Sequence, residues 1–326
     1  MSFEMPQGLR QRVNAWLAGH EHGSQREAAR ELSAQYAAGR ASSSIDLAPY
    51  LTARLPATYA AVASVLAEVA QLKIDFAPQS ALDIGAGPGT ASFAAQEQWQ
   101  SLKHFTLLES DARFVALAQS LAQDLPNLEI LHQRLQQLDC RAELVMAAYV
   151  LVELPEAEAT PSALKLWQAC TETLILVEPG TPQGFARLRA ARSALLGQGA
   201  HLIGPCTHEK TCPMAGHDWC HFKARLARSR EHMHAKGASV PFEDEAYSWV
   251  AFSRSKTVWP AARVIAPVEK TKAGLTLSLC TETGLTQTTI ARRVKPAYNA
   301  ARHIKWGDAF MPLDDKVIVE RGRKAG

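Results

Sequence analysis

Cys206, Cys212 and Cys220 fall close together and are interleaved with His208, His217 and His221. Pro205, Pro213 and Gly216 interrupt the stretch, so neither a helical nor a strand period runs through it. A segment written this way folds around a point, and the chemistry it suits is the presentation of several thiols to one centre. Its Cys-x5-Cys-x7-Cys spacing is not the Cys-x2-Cys pair of zinc ribbons. Cys280, far along the chain, is the candidate fourth ligand. Four thiolates at irregular spacing suit a [4Fe–4S] cluster, whose cube accepts ligands from separated segments. Zinc held by three cysteines and one of the three histidines is the competing reading, and thiols with no metal are the third. Cys140 and Cys170 fall among predicted sheet elements and read as core thiols.

A second stretch, residues 80–90, reads Ser-Ala-Leu-Asp-Ile-Gly-Ala-Gly-Pro-Gly-Thr. A buried strand is predicted over 81–84, a tight turn through Gly85, Ala86, Gly87 and Gly89, and the start of a helix over 91–98. Asp83 stands two residues before the first glycine. Dinucleotide sites usually carry an apolar residue there, because the glycines must approach a pyrophosphate. An acidic strand end repels that group and suits a cationic, amino-acid-bearing ligand, which points to S-adenosylmethionine. Glu109 ends the next predicted strand, 105–109, where a carboxylate can accept both ribose hydroxyls. Gln133, between His132 and Arg134 after a third predicted strand at 128–131, occupies the loop that reaches toward an adenine. The expected cofactor set is therefore Asp83, Gly85, Ala86, Gly87, Gly89, Glu109 and Gln133.

No catalytic residue can be named. Where amino-methylating enzymes place Asn/Asp-Pro-Pro-aromatic, this chain has Ala147-Ala-Tyr-Val-Leu-Val-Glu-Leu154. Pro205-Cys206 and Thr211-Cys212 match the dipeptides of cytosine-C5 RNA enzymes but are too close together to end two neighbouring strands. Tyr149 and Glu153 read first as ordinary residues after a strand, and only second as base contacts.

The elements that must position these residues follow from periodicity. Residues 1–70 read as helical, with a capping box at Ser24 and Glu27, a linker at 41–44, and apolar Tyr59, Val62, Leu66 and Val69 on one face. Strands at 81–84, 105–109, 128–131, 144–148 and 174–180 alternate with helices, which predicts an α/β fold with a doubly wound parallel sheet. A helix is expected over 184–196, with Phe185, Leu188 and Leu195 inward and Arg187, Arg189 and Arg192 on the other, solvent flank, then a basic helix over 223–230, and over 242–252 an acidic cap running into a strand. Short strands at 263–267, 275–280 and 287–294 follow, with a hairpin turn at 281–284. The expected division is a helical region over 1–75, a Rossmann-like domain over 76–200, a Cys/His-rich insertion and basic helix over 201–260, and a small basic β module over 261–326.

The net charge of +3 hides an asymmetry: 20 Lys and Arg against 12 Asp and Glu from residue 201 onward, and 15 against 20 before it. A basic distal third suggests a polyanionic partner, RNA foremost, gripped by phosphate contacts and by stacking on Tyr298 and Trp306. No apolar run approaches the length of a membrane span, and the N-terminus has no signal-peptide pattern. A cytoplasmic chain without membrane partners, and a monomer, is expected.

The motif at 82–89, Val177-Glu-Pro-Gly180, the cysteine segment 204–222, Glu243-Asp-Glu-Ala-Tyr-Ser248 and Trp306-Gly-Asp308 resemble the small-ribosomal-subunit methyltransferase-like family. That family includes a mitochondrial assembly factor and bacterial relatives, and the similarity covers about residues 45–310. The resemblance implies a Rossmann-like methyltransferase fold and a role in assembling the small ribosomal subunit on its rRNA. It also implies a bacterial cytoplasmic setting and a [4Fe–4S] cluster on Cys206, Cys212, Cys220 and Cys280. Two functions are then expected in competition: an S-adenosylmethionine-dependent rRNA methyltransferase, or a non-catalytic assembly factor that keeps the fold.

Overall fold

The computed structural model describes residues 3–20, 46–216, 218–227, 242–310 and 319–322. The expected capping box at Ser24, the linker at 41–44 and His217 lie outside them. Helix α1 (Gln7–Ala18) buries Leu9 and Val13, spaced four apart. Asp46 caps the next helical run, its side chain accepting from the Ala48 N–H. A π-helical turn, Tyr50–Arg54, leads into α2 (Leu55–Leu72). The run over Leu47–Leu72 is long and apolar enough to cross a membrane, against the expectation of no such stretch. Here it is a core helix: Tyr59, Val62, Leu66 and Val69 all pack in the main apolar cluster.

Strands β1 (Ser80–Ile84), β2 (His104–Glu109), β3 (Leu128–His132), β4 (Ala142–Ala148) and β5 (Cys170–Pro179) are parallel. Helices α3 (Thr90–Gln98), α4 (Ala112–Leu121), α5 (Glu156–Ala169) and α6 (Pro182–Gly197) alternate with them. Three more strands, β6 (His201–Gly204), β7 (Phe222–Ala227) and β8 (Phe242–Ser253), complete the sheet in the order β3-β2-β1-β4-β5-β8-β6, with β7 also on β8. The reversed β8 between β5 and β6 departs from the 3-2-1-4-5-6 order of dinucleotide folds. Apolar clusters fill both faces of the sheet.

Strand β8 explains where the cysteines go. One edge pairs with β5 over 247–253, while the other pairs with β7 over Phe242–Tyr247 and with β6 over 251–253. Among the described residues, 248–250 have no strand partner on that second edge, and the cysteine loop between β6 and β7 leaves the sheet at this gap. The segment 201–260, expected as a separate insertion, thus supplies three strands of the large sheet, and only its loop stands apart.

The second sheet is antiparallel, in the order β13-β9-β11-β12-β14, with β10 on β11. It comprises β9 (Ala262–Val264), β10 (Glu269–Lys270), β11 (Gly274–Thr281), β12 (Gly284–Ala291), β13 (Ala309–Phe310) and β14 (Val319–Gly322), with α7 (Lys295–Ala301) packed on it. The expected hairpin turn is there, with Thr281 opposite Gly284.

Three sequence expectations are corrected. The basic helix over 223–230 is strand β7 as far as Ala227, with Phe222, Ala224 and Leu226 buried in alternation; period two outweighed the helix-forming Lys and Arg. The acidic residues 243–245 lie inside β8 rather than capping it. Arg187 and Arg192 are buried in α6, not on a solvent flank. Helix α7 went unread, although Pro296 in its first turn and Ala297 and Ala301 four apart mark it.

Candidate functional site

Two cavities carry the candidate residues. The first lies at the C-terminal ends of the parallel strands, where open α/β sheets bind their ligands. Gly85, Gly87, Glu109, Gln133, Tyr50 and Tyr149 line it. The turn after β1 needs glycine for two reasons. Gly85 has φ +59, and a Cβ there would stand 2.7 Å from Val150 Cγ2; Gly87 has φ +53, and its Cβ would meet the Tyr50 hydroxyl at 3.3 Å. The backbone is left bare where a ligand would lie.

Glu109 is placed by the end of β2. One carboxylate oxygen accepts the Gly87 N–H at 2.9 Å, and the other accepts those of Ser110 and Asp111 at 2.7 and 2.9 Å. These three bonds fix the carboxylate at the cavity and leave about one of its four lone pairs, on the oxygen that takes the Gly87 N–H, for a hydroxyl donor. Gln133 lines the same cavity, and its buried Oε1 has no hydrogen-bond partner among the described residues. An orphaned acceptor of this kind fits the amino group of an adenine. Ala86 is buried beside the loop.

Asp83 has a different place. It is buried at the end of β1, and its Oδ2 accepts both the N–H and the Oγ–H of Ser92, at 3.0 and 2.8 Å. Burial pushes its carboxyl up to about 7, against the two Ser92 hydrogen bonds that favour the charge. Asp83 therefore ties the strand to the first turn of α3 and holds the glycine turn between them.

The loop after β4 is also held. The Leu151 and Val152 N–H groups donate to the Glu178 carboxylate at 2.7 and 3.1 Å, and Glu178 is fully buried at the end of β5. Burial pushes Glu178 up to about 8. Tyr149 has φ +64, a conformation rare outside glycine. Its hydroxyl donates to Glu245 Oε1 at 3.0 Å, the atom that also takes Arg54 Nη1 at 3.1 Å. Nothing local in the sequence marks this link between Arg54, Tyr149 and Glu245, because its members meet only through the sheet.

The second cavity lies where the cysteine loop meets the small module, and Cys206, Cys212, Cys220 and Cys280 all line it. Cys206 comes just after β6, Cys220 just before β7, and Cys280 sits near the end of β11. Cys212, Cys220 and Cys280 share an apolar cluster with Met214 and Ile265. Ser248, in the gap of β8, donates to the Cys220 carbonyl at 2.7 Å, and Thr207 donates to that of Cys280 at 3.4 Å. The remote strand is thus brought to the loop, as the cysteine reading requires.

Two buried guanidinium groups stand at this cavity. Arg263 is the cross-strand neighbour of Cys280. It is 1% exposed, donates to the carbonyls of Pro205 and Gly307, and pairs with Glu68. Arg192 donates to the carbonyls of His208 and Lys210 at 2.7 and 2.9 Å. Among the described residues, each keeps a buried N–H nitrogen without a hydrogen-bond partner, Nη2 of Arg263 and Nε of Arg192. Buried cations with spare donors fit an anionic centre, and a metal bound by four thiolates is one. Burial raises the thiols of Cys206 and Cys220 and pushes Cys280 up to about 12, each helped by repulsion from neighbouring sulfurs. Arg192 was legible after all: Leu188, Arg192 and Leu195, spaced four and three, share the buried face of α6.

His208 is buried with Nε2 3.9 Å from Cys280 Sγ, while His221 packs between Trp219 and Trp306. Among the described residues, no three His, Cys, Asp or Glu side chains gather tightly enough to hold a single metal ion.

Comparison with known proteins bears on the whole arrangement. A human protein named ribosome assembly protein METTL17, mitochondrial, is 28% identical over 296 residues, covering 81% of this chain and 62% of its own length. Rsm22-cox11 tandem protein 2, mitochondrial, of Schizosaccharomyces pombe is 25% identical, covering 82% of this chain and 43% of its own. The chain thus spans less than two thirds of these relatives. A solved magnesium protoporphyrin IX methyltransferase from Synechocystis PCC 6803 overlaps 61% of this chain and 80% of its own at 18% identity, with a TM-score of 0.41. A likeness of that size carries no argument here. The family described as mitochondrial small ribosomal subunit Rsm22 matches residues 44–311, and the chain belongs to it.

Proposed function

We propose that this chain is a methyltransferase-like assembly factor of the small ribosomal subunit. It binds S-adenosylmethionine beside the glycine turn and carries an iron–sulfur centre on Cys206, Cys212, Cys220 and Cys280. The observation that carries the reading is the convergence of four thiols, drawn from a loop and a remote strand, on one cavity flanked by two buried guanidinium groups. The human relative, a ribosome assembly protein, supports the assembly role.

In the first cavity, Glu109 would take a ribose hydroxyl on its remaining lone pair, Gln133 the adenine, and the bare turn at Gly85 and Gly87 the amino-acid portion. The donor supplies an electrophilic methyl group when bound. The protein's own part is to align it and to exclude water. In the second cavity, a cube bears its ligands on separate corners, whereas zinc draws all its sulfurs to about 2.3 Å from one ion.

A second reading, binding without methyl transfer, is favoured by the loop after β4. Tyr149 is tied to Glu245, and Glu178 fastens the N–H groups of Leu151 and Val152, so side chains after β4 are committed to holding the loop. Tritiated-methyl transfer to rRNA from a deletion strain separates the two. Label above background makes the chain an enzyme; background label, with immature small subunits accumulating in the same strain, leaves the assembly role alone. Normal subunit profiles in that strain would remove the assembly reading itself.

A further inference from the structure

The small module has two unlike ends. At one, the turn between β11 and β12 brings Cys280 to the thiol cavity. At the other, about 17 Å away along five residues of β11, six exposed cations gather. Lys270 and Lys272 belong to β10 and the turn that follows it; Arg292 and Arg293 follow β12; Lys295 and Arg302 bracket α7. The backbone brings them together. The Arg292 N–H donates to the Ala273 carbonyl at 2.7 Å, and Lys270 Nζ donates to the Arg302 carbonyl at 3.2 Å. The helix between them is only about 10 Å long. Among the described residues none of the six forms an ion pair, and Glu269 is the one carboxylate in their segments.

Such a concentration of like charge is destabilising unless something neutralises it. A protein partner would need an apolar centre to its contact. Among the described residues, the exposed large apolar ones, Ile74, Phe242 and Val258, all lie outside this module. Among the described residues, the module's two large aromatic candidates for base stacking are engaged elsewhere. Tyr298 packs on the module's core with the Arg292 guanidinium 5.7 Å from its ring centre, and Trp306 packs against His221 on the cysteine loop.

We infer that this end of the module docks the phosphate backbone of RNA without reading its bases. The inference rests on the rRNA partner proposed above and refines it: contact is electrostatic and made by Lys270, Lys272, Arg292, Arg293, Lys295 and Arg302. The hairpin acts as a strut from this end to the thiol cavity.

The test is the salt dependence of binding by the full chain to a transcript of the small-subunit rRNA and to a short mixed-sequence RNA duplex. A variant carrying Lys272→Gln, Arg293→Gln, Lys295→Gln and Arg302→Gln spares Lys270 and Arg292, which make structural contacts. Each lost phosphate contact removes about 0.9 from the slope of log K against log salt. The variant should therefore lose roughly 3 to 4 in slope, and on the order of a thousandfold in affinity at physiological salt. Its Tm should match the parent's. A parent slope retained in full by the variant overturns the surface while leaving the RNA partner standing. Failure of the parent itself to bind either RNA overturns the partner as well. If polyglutamate or anionic vesicles compete as well as RNA at equal charge, the commitment to RNA is wrong.

Discussion

The buried carboxylate that anchors the glycine turn makes the sharpest prediction. Asp83 is 2% exposed and titrates near 7 instead of 3.8, because burial opposes its charge more than Ser92 supports it. In the window between those values the folded protein keeps a proton that the unfolded chain has released. Stability is therefore greatest below the unfolded pKa and is lost as pH rises through the folded one. The loss runs at about 1.4 kcal/mol per pH unit, or about 4 kcal/mol over the whole window. Asp83→Asn keeps an oxygen for Ser92 and cannot ionise. Measured by thermal unfolding, the stability of the parent minus that of Asp83→Asn should fall by about 2–3 kcal/mol between about pH 5 and about pH 7. At roughly 2–4 °C per kcal/mol for a chain of this size, that is a shift of about 5 °C or more. Glu178 titrates in a neighbouring range, but both proteins contain it, so it cancels in the difference. A difference independent of pH would refute the buried carboxyl, and with it the tie between β1 and α3. Methyl-donor affinity should survive Asp83→Asn and be lost in Asp83→Ala, which leaves the Ser92 N–H and hydroxyl without their acceptor.

Three further outcomes follow from the same geometry. Gly85→Ala sets a Cβ against Val150 at a left-handed φ; it should cost about 1–3 kcal/mol and abolish donor binding by calorimetry. Glu109→Gln removes the charge that three N–H groups orient, so donor affinity should fall at least about tenfold, a loss of ~1.4 kcal/mol or more; unchanged affinity would remove the assigned pocket. Arg263→Met leaves Glu68 and two carbonyls without their donor, and a loss of about 3 kcal/mol in thermal unfolding is expected.

Much of this was legible in the chain because it depends on local pattern. The turn at 85–89 announces itself through glycines that must adopt positive φ, and Glu109 and Gln133 follow from strand ends on a regular β–α interval. The meeting of Cys280 with the loop thiols was readable only as a shortage of ligands within the loop. What escaped is what tertiary contact decides. Lys223 and Arg225 read as helix formers, yet pairing with β8 draws them into a strand. Arg263, between Ala262 and Val264, carries no signal that it will be buried against a thiol. Asp83 has the right type at the right spacing, but its carboxylate turns to Ser92 instead of the ligand side.

The most direct test of the central claim is metal and sulfide analysis of anaerobically purified protein, beside a Cys280→Ser variant prepared identically. Brown parent protein with comparable iron and sulfide, and a variant that loses most of both while still binding S-adenosylmethionine, is the predicted result. Colourless parent protein carrying stoichiometric zinc, or a Cys280→Ser variant as rich in iron as the parent, would contradict it.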